Sequence, residues 1–327
     1  MKKNKLIYSL SLLILAGSLA ITSCKKKKEF KSEDGQTSAD NKSVQNENDA
    51  AVNEVNTEIG NNASLHGRSP SPSGINGLQS ALGITALSYS VDTNGAHLGT
   101  IKIIYDGVTV VNNRKRSGAI KLTILNYATG KRWKQAGCLL QVDFLAYKVT
   151  RASDGKSVRL DGTQNITNET GGTWWELLII KTQSSIATSV TGTNLNITFD
   201  ESKTAVYNIN RRFTYSIPNN LLTCTGEGIG NNGDLGSLEN YGTTRDGDAF
   251  TSQVTTPIVW NWTCGPWAPV QGEVNIKVAG KDFALKVLFS VDASGNSFTA
   301  APNSCPYGWK VEWTYKSKTN KKIYGYN

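Results

Sequence analysis

From about Leu87 onward the chain is a succession of short runs rich in Ile, Val, Thr, Tyr and Trp, broken roughly every ten residues by Gly, Asn or Asp. Runs of this length are too short for stable helices. β-Branched and aromatic side chains fit a pleated surface, and Gly, Asn and Asp accept the backbone angles that tight reversals need. Strands are expected at Gly99 to Tyr105, Gly118 to Asn126, Leu139 to Val149, Val158 to Thr167, Trp175 to Thr182, Leu195 to Phe199, Ala205 to Ile217, Phe250 to Trp260, Gly272 to Val278 and Phe283 to Val291, with one or two more from Trp309 to Tyr324. Asp200-Glu201-Ser202-Lys203 and Ala279-Gly280-Lys281-Asp282 read as hairpin turns. Sequential strands joined this way pair as neighbours, so the expected topology is an antiparallel meander.

Alternation supplies the faces. In Gly272 to Val278, Val274, Ile276 and Val278 fall on one side and Glu273, Asn275 and Lys277 on the other, and Lys121 and Thr123 interrupt Ile120, Leu122 and Ile124 in the same way. No comparable helix-period stretch follows residue 87, which argues against α/β architecture. The expectation is an all-β fold over residues 87–327, a β-sandwich or a large curled sheet.

Upstream the composition changes. Residues 25 to 83 are rich in Asn, Ser, Asp, Glu, Lys and Gly and include Ser69-Pro70-Ser71-Pro72-Ser73, so residues 24–86 read as a disordered, flexible linker. Within it Ala51, Val52, Val55 and Ile59 recur at helical intervals, enough for one short helix with a narrow apolar face between Asn48 and Ile59.

The chain opens with Met1-Lys2-Lys3-Asn4-Lys5, an apolar run from Leu6 to Ile21, and then Thr22-Ser23-Cys24. A basic start, a core shorter than a membrane span and small residues before the cysteine fit a lipoprotein signal peptide over residues 1–23, with Cys24 the lipidated first residue. Two or three acyl chains on Cys24 would hold the protein to a membrane, since each buried CH₂ contributes ~0.8 kcal/mol. Loss of Lys2, Lys3 and Lys5 with the signal takes the formal charge from +9 to +6. Lys25 to Lys28 then lie beside the anchor, where anionic head groups would attract them.

Four cysteines remain in an exported, oxidising setting. Cys264 and Cys305 flank two strands near the C-terminus and form the favoured disulfide, and Cys138 with Cys224 is the remaining pairing. No CxxC or CxxH spacing occurs, and His66 and His97 lie outside the cysteine-bearing segments, so no metal and no cofactor are expected.

Ile101-Lys102-Ile103-Ile104-Tyr105-Asp106-Gly107, followed by Arg114-Lys115-Arg116-Ser117-Gly118-Ala119-Ile120-Lys121-Leu122-Thr123, resembles a group of uncharacterised lipoproteins of Bacteroidota-type bacteria. Asp161-Gly162-Thr163-Gln164-Asn165-Ile166-Thr167 looks like a further strand of that group, and Gly242-Thr243-Thr244-Arg245-Asp246-Gly247 with Val254 to Val259 and Cys264 is similar to its later elements. The likeness covers about residues 98 to 310. It implies a lipid-anchored β protein and no particular reaction. An early cysteine usual in that group has no counterpart, and Cys138 stands elsewhere. Such lipoproteins often carry acidic residues after the anchor for surface display. Lys25 to Lys28 are the opposite, which favours the periplasmic face of the outer membrane.

Motifs for catalysis are sparse. His97 is the only histidine near the folded region, and no GxSxG elbow accompanies it. Asp143, Asp161, Glu176, Glu273 and Glu312 lie in or beside expected strands, where a glycosidase could draw its two carboxylates. Gly226 to Gly247 lacks the residues of a phosphate or calcium loop and reads as a mobile surface loop. Eight tryptophans are present. Trp174 and Trp175 would face opposite sides of a strand, while Trp260, Trp262, Trp267 and Trp309 are the residues that could stack on a glycan or other envelope polymer, though a β core also buries such rings. Compartment argues against nucleic acid. The sequence therefore points to a non-enzymatic, lipid-anchored envelope protein with a structural, adhesive or ligand-binding role, with carbohydrate binding or processing as the alternative.

Overall fold

Side-chain alternation is realised as one continuous sheet. The computed structural model describes residues 32–61, 88–92, 99–111, 113–178, 180–230, 238–265, 268–298, 304–315 and 317–326. Its strands are β1 (Ser88–Asp92), β2 (Thr100–Val111), β3 (Arg114–Ile124), β4 (Cys138–Arg151), β5 (Ser157–Asn168), β6 (Ser185–Phe199) and β7 (Lys203–Ser216), then β8 (Thr223–Gly228), β9 (Leu238–Thr243), β10 (Ala249–Asn261), β11 (Gln271–Val278), β12 (Ala284–Val291), β13 (Gly308–Tyr315) and β14 (Lys318–Gly325). They follow one another across a 14-stranded sheet, each antiparallel to the next, as a meander should.

The exception is the lane between β7 and β10, which β8 and β9 share end to end. β8 pairs with Arg211 to Ser216 of β7 and β9 with Tyr207 to Ile209, while both also pair with β10. Residues Gly226 to Gly247, expected as a mobile loop, therefore contain the end of one strand and the whole of another. A second correction falls at Trp175 to Thr182, where a strand was expected. Trp174–Leu178 is instead a single helical turn, with Thr173 accepting the Glu176 backbone N–H through its hydroxyl.

Register shifts interrupt five adjacent pairings in a row, from β2–β3 through β6–β7. Each bulge bends its strand and increases local twist, so a row of them coils the sheet. Ile120, Leu122 and Ile124 of β3 and Val274, Ile276 and Val278 of β11 all face the interior, as their alternation indicated. The outward rows carry Asn208, Asn210, Arg212 and Thr214 on β7 and Thr251, Gln253 and Thr255 on β10, a surface made for water.

The concave side is filled by α1 (Ser32–Asn61), a 30-residue helix inside the stretch expected to be a flexible linker. The expected short helix at Asn48 to Ile59 is only its second half. No residue from Gly35 to Val52 is exposed, so the helix is enclosed around its whole circumference over five turns. Val44, Ala51, Val52, Val55 and Ile59 join the same core as the inward rows of the sheet. Helix formation here comes from enclosure: the segment is polar on nearly every side, a pattern that gives no stable helix unless the surroundings supply partners. Among the described residues no helix is long and apolar enough to cross a membrane.

Candidate binding site between the N-terminal helix and the sheet

Three carboxylates of α1 meet three arginines of the sheet. Asp40 takes both Nε and Nη2 of Arg245 at 2.5 and 2.6 Å, Glu47 accepts from Arg114 Nε at 2.7 Å, and Asp49 accepts from Arg211 Nη1 at 2.6 Å. Arg114 opens β3, Arg211 lies in β7 and Arg245 follows β9, so the helix is clamped from well-separated parts of the coil. Neutral groups extend the contact: Gln45 donates to Glu239 at 2.7 Å, Ser252 donates to the same carboxylate oxygen at 2.7 Å, and Asn41 donates to Ser252.

Arg211 is the centre of this arrangement. It is 1% exposed and sits in the inward row Ala205, Tyr207, Ile209, Phe213, Tyr215, where every neighbour in register is apolar or aromatic. Its Nε lies 3.6 Å from Glu239 Oε2, and its guanidinium stacks 4.6 Å from the Phe213 ring centroid. Burial opposes its charge, but Asp49 and Glu239 hold the guanidinium protonated. Burial raises the pKa of Asp49 and of Asp40 despite their arginines.

Lys42 is buried too, with its ammonium 4.7 Å from the Phe289 ring centroid and 6.0 Å from that of Tyr326. Desolvation pulls its pKa down to about 7, with Arg211 adding to the effect and Asp49 and Glu239 opposing it. A small cavity of about 10 Å³, lined by Asp49, Val52, Tyr215, Cys224, Trp260 and Trp262, lies alongside, close to the volume one water needs.

The arrangement is an ionic contact within the chain, in which Asp49, Arg211 and Glu239 face one another away from solvent. The carboxylates considered for glycoside hydrolysis are each held by a neighbouring group, Glu176 by the Thr173 hydroxyl at 3.1 Å. Asp161 pairs with Arg159, Glu273 with Lys286 and Glu312 with Lys310, each locally, while Asp143 accepts from Gln141 and Thr163. Among the described residues no group of His, Cys, Asp and Glu is placed to hold a metal ion.

The other expected residues are placed as follows. Cys264 and Cys305 form a disulfide with Cα atoms 5.4 Å apart, joining the β10–β11 and β12–β13 connections. Cys138 and Cys224 do not pair: they are buried free thiols on β4 and β8, with β5, β6 and β7 between them. Burial pushes the Cys138 thiol up to about 11 and raises that of Cys224 as well. Trp260 is 4% exposed and packs inward against Phe213 and Arg211, which removes it as a surface contact. Trp262 and Trp309 are half-buried against the core, and Trp309 stacks on Tyr324 and Tyr326 at 5.1 and 5.6 Å. Cys24, His66, His97 and Trp267 lie outside the described residues.

The interior charges form no local motif, because their partners stand 162 and 205 residues apart at Arg211–Asp49 and Arg245–Asp40. One signal was available: parity along β7 puts Arg211 in the buried row between Ile209 and Phe213. No protein-family profile, no characterised protein and no solved structure matches this chain.

Proposed function

We propose that this is a lipid-anchored cell-envelope protein, held by acylated Cys24 to the outer membrane with its domain on the periplasmic side, and serving a binding or structural role without catalysis. The observation that carries this reading is the position of α1. It starts at Ser32, so only the seven residues from Lys25 to Lys31 separate it from Cys24, a span of at most about 25 Å when fully extended. A helix enclosed by the sheet then links the lipid to the domain directly, keeping the folded body and Lys25 to Lys28 near the head groups. A long loose tether would have let it stand clear. Replacing Cys24 by Ala should move the protein from the membrane to the soluble fraction. Full membrane retention would refute the anchor, and rapid loss of the domain when intact cells are treated with protease would refute the periplasmic placement.

Carbohydrate binding has one observation in its favour: an open pocket of about 470 Å³ beside the disulfide, lined by Asp292, Phe298, Tyr307 and Tyr326, with Tyr307 52% exposed. Its volume suits a small ligand, and Tyr307 offers a ring face for stacking. A glycan array probed with the protein and with Tyr307→Ala tests it; no hit that depends on Tyr307 removes the reading.

A further inference from the structure

The helix and the sheet are oppositely charged bodies. Residues 32–61 carry seven carboxylates and one lysine, a net charge of −6, whereas residues 88–327 carry 25 basic and 18 acidic side chains, a net charge of +7. Six asparagines and two glycines further weaken the segment as a helix former. Alone in water such a segment stays largely unfolded, so α1 folds only on entering the channel. Twenty-six residues, 62 to 87, stand between it and β1 in the sequence.

Hydrogen bonding between helix and wall is incomplete on both sides: Asn46 Oδ1, Glu47 Oε2, Asn48 Oδ1 and Asp49 Oδ2 of α1 are buried without a protein partner. Arg211 Nε and Nη2, Asn240 Oδ1 and both ends of the Gln164 side-chain amide are buried with no protein hydrogen-bond partner. Each unmet group weakens the docked state, because it has given up water without gaining a partner. The resident helix is therefore complementary in charge and incomplete in hydrogen bonding.

We propose that the arginine-lined channel is a receptor for an acidic helical segment of another polypeptide, and that α1 is its built-in occupant, which must leave before the partner enters. Arg114, Arg211 and Arg245 are the anchors for the incoming carboxylates, and the unmet groups of Arg211, Asn240 and Gln164 are what a better-fitting helix would satisfy. Occupancy by α1 lowers apparent affinity by the fraction of molecules that are open. The proposal rests on the reading of the domain as a binding module and is independent of the lipid anchor.

The test uses the full chain and a fluorescent synthetic peptide of residues 32–61 as the probe. The full-length variant Asp40→Asn/Glu47→Gln/Asp49→Asn loosens the resident helix. It should bind the peptide at least about 10-fold more tightly than the unaltered protein by fluorescence anisotropy. Adding Arg114→Ala and Arg245→Ala should abolish that gain, and a peptide with two central prolines should not bind. No gain in a variant that keeps its tryptophan emission, a gain that survives loss of both arginines, or equal binding of the proline peptide would overturn the proposal. Should the variant not fold, hydrogen exchange on the unaltered protein decides: α1 amides opening at lower free energy than those of β4 to β7 support it, and identical opening energies overturn it. Membrane release of Cys24→Ala with no peptide binding would leave the anchor reading standing and this one refuted.

Discussion

Arg211 in β7 donates its Nη1 proton to Asp49 in α1 at 2.6 Å, joining two side chains 162 residues apart where neither is more than 8% exposed. A buried pair of this kind is weak evidence of net stabilisation, because both charges were taken out of water, but removing one partner strands the other. Asp49→Asn should therefore lower stability by about 3 kcal/mol, the low end of the range for a broken buried pair, because Glu239 at 3.6 Å still faces Arg211. The apolar double variant Asp49→Leu/Arg211→Met should lose less than its two single substitutions summed, the remaining loss coming from Glu239, which then lacks its arginine. Urea unfolding followed by tryptophan fluorescence measures both; additive losses in the double variant would show that the two residues are not coupled.

Lys42 makes the enclosed helix sensitive to pH near neutrality. Its folded pKa of about 7 lies below the 10.5 of an exposed lysine, so between these values the unfolded chain holds a proton that the folded chain has released. Stability must then rise with pH through that window, by about 1.4 kcal/mol per unit for one proton, and this contribution is flat below pH 7. Asp49, Arg211 and Glu239 supply the surrounding charges, and Phe289 and Tyr326 face the ammonium. Lys42→Met should be more stable at pH 7 and should lose this slope between pH 7 and 9, as read from urea midpoints at several pH values. A slope identical to that of the unaltered protein would exclude Lys42 as its source.

Most of the sheet was legible because most of its strands carry their own signal, the short β1, β8 and β9 being the exceptions. Period-two alternation in β3 and β11 fixes their inward faces, and the turns at Asp200 and Gly280 fix their neighbours. β9 escaped notice because its inward pair, Glu239 and Asn240, is polar, so burial left no apolar trace in the sequence. The same reason hid α1. A segment holding Asp40, Lys42, Glu47 and Asp49 reads as solvated, and only tertiary contacts with Arg114, Arg211 and Arg245 reverse that. Arg211 itself stood in an inward row, but naming its partner required a contact between residues far apart in the chain.

The cysteines give a direct chemical test. Non-reducing mass analysis should show one disulfide, Cys264–Cys305, and two thiols. In the folded protein Cys138 and Cys224 should resist alkylation at pH 8, since both are buried and burial raises both thiols above their ordinary range. Cys264→Ser/Cys305→Ser opens a loop set by a sequence separation of 41, and the chain-entropy relation puts the loss at about 4 kcal/mol. Rapid labelling of either remaining thiol before unfolding would contradict their placement in the core.

Gly242 tests the shared lane of β8 and β9. Its φ of +151° is one that other residues rarely adopt, and a Cβ placed there would lie 1.9 Å from the Val206 carbonyl oxygen. That contact is with backbone and cannot be relieved by a rotamer change, so Gly242→Ala must push β9 away from β7. Glu239 and Asn240 lie three and two residues away on the same strand, and through Glu239 the displacement reaches Gln45 and Arg211. The variant should therefore lose at least about 2 kcal/mol and also raise hydrogen exchange across α1, although residue 242 does not belong to the helix contact. Gly247→Ala is the control, since it also has positive φ but no atom within 4 Å of the added Cβ, and it should show only its local backbone strain. Equal effects of the two substitutions, with α1 unaffected by either, would mean that β9 does not brace the helix.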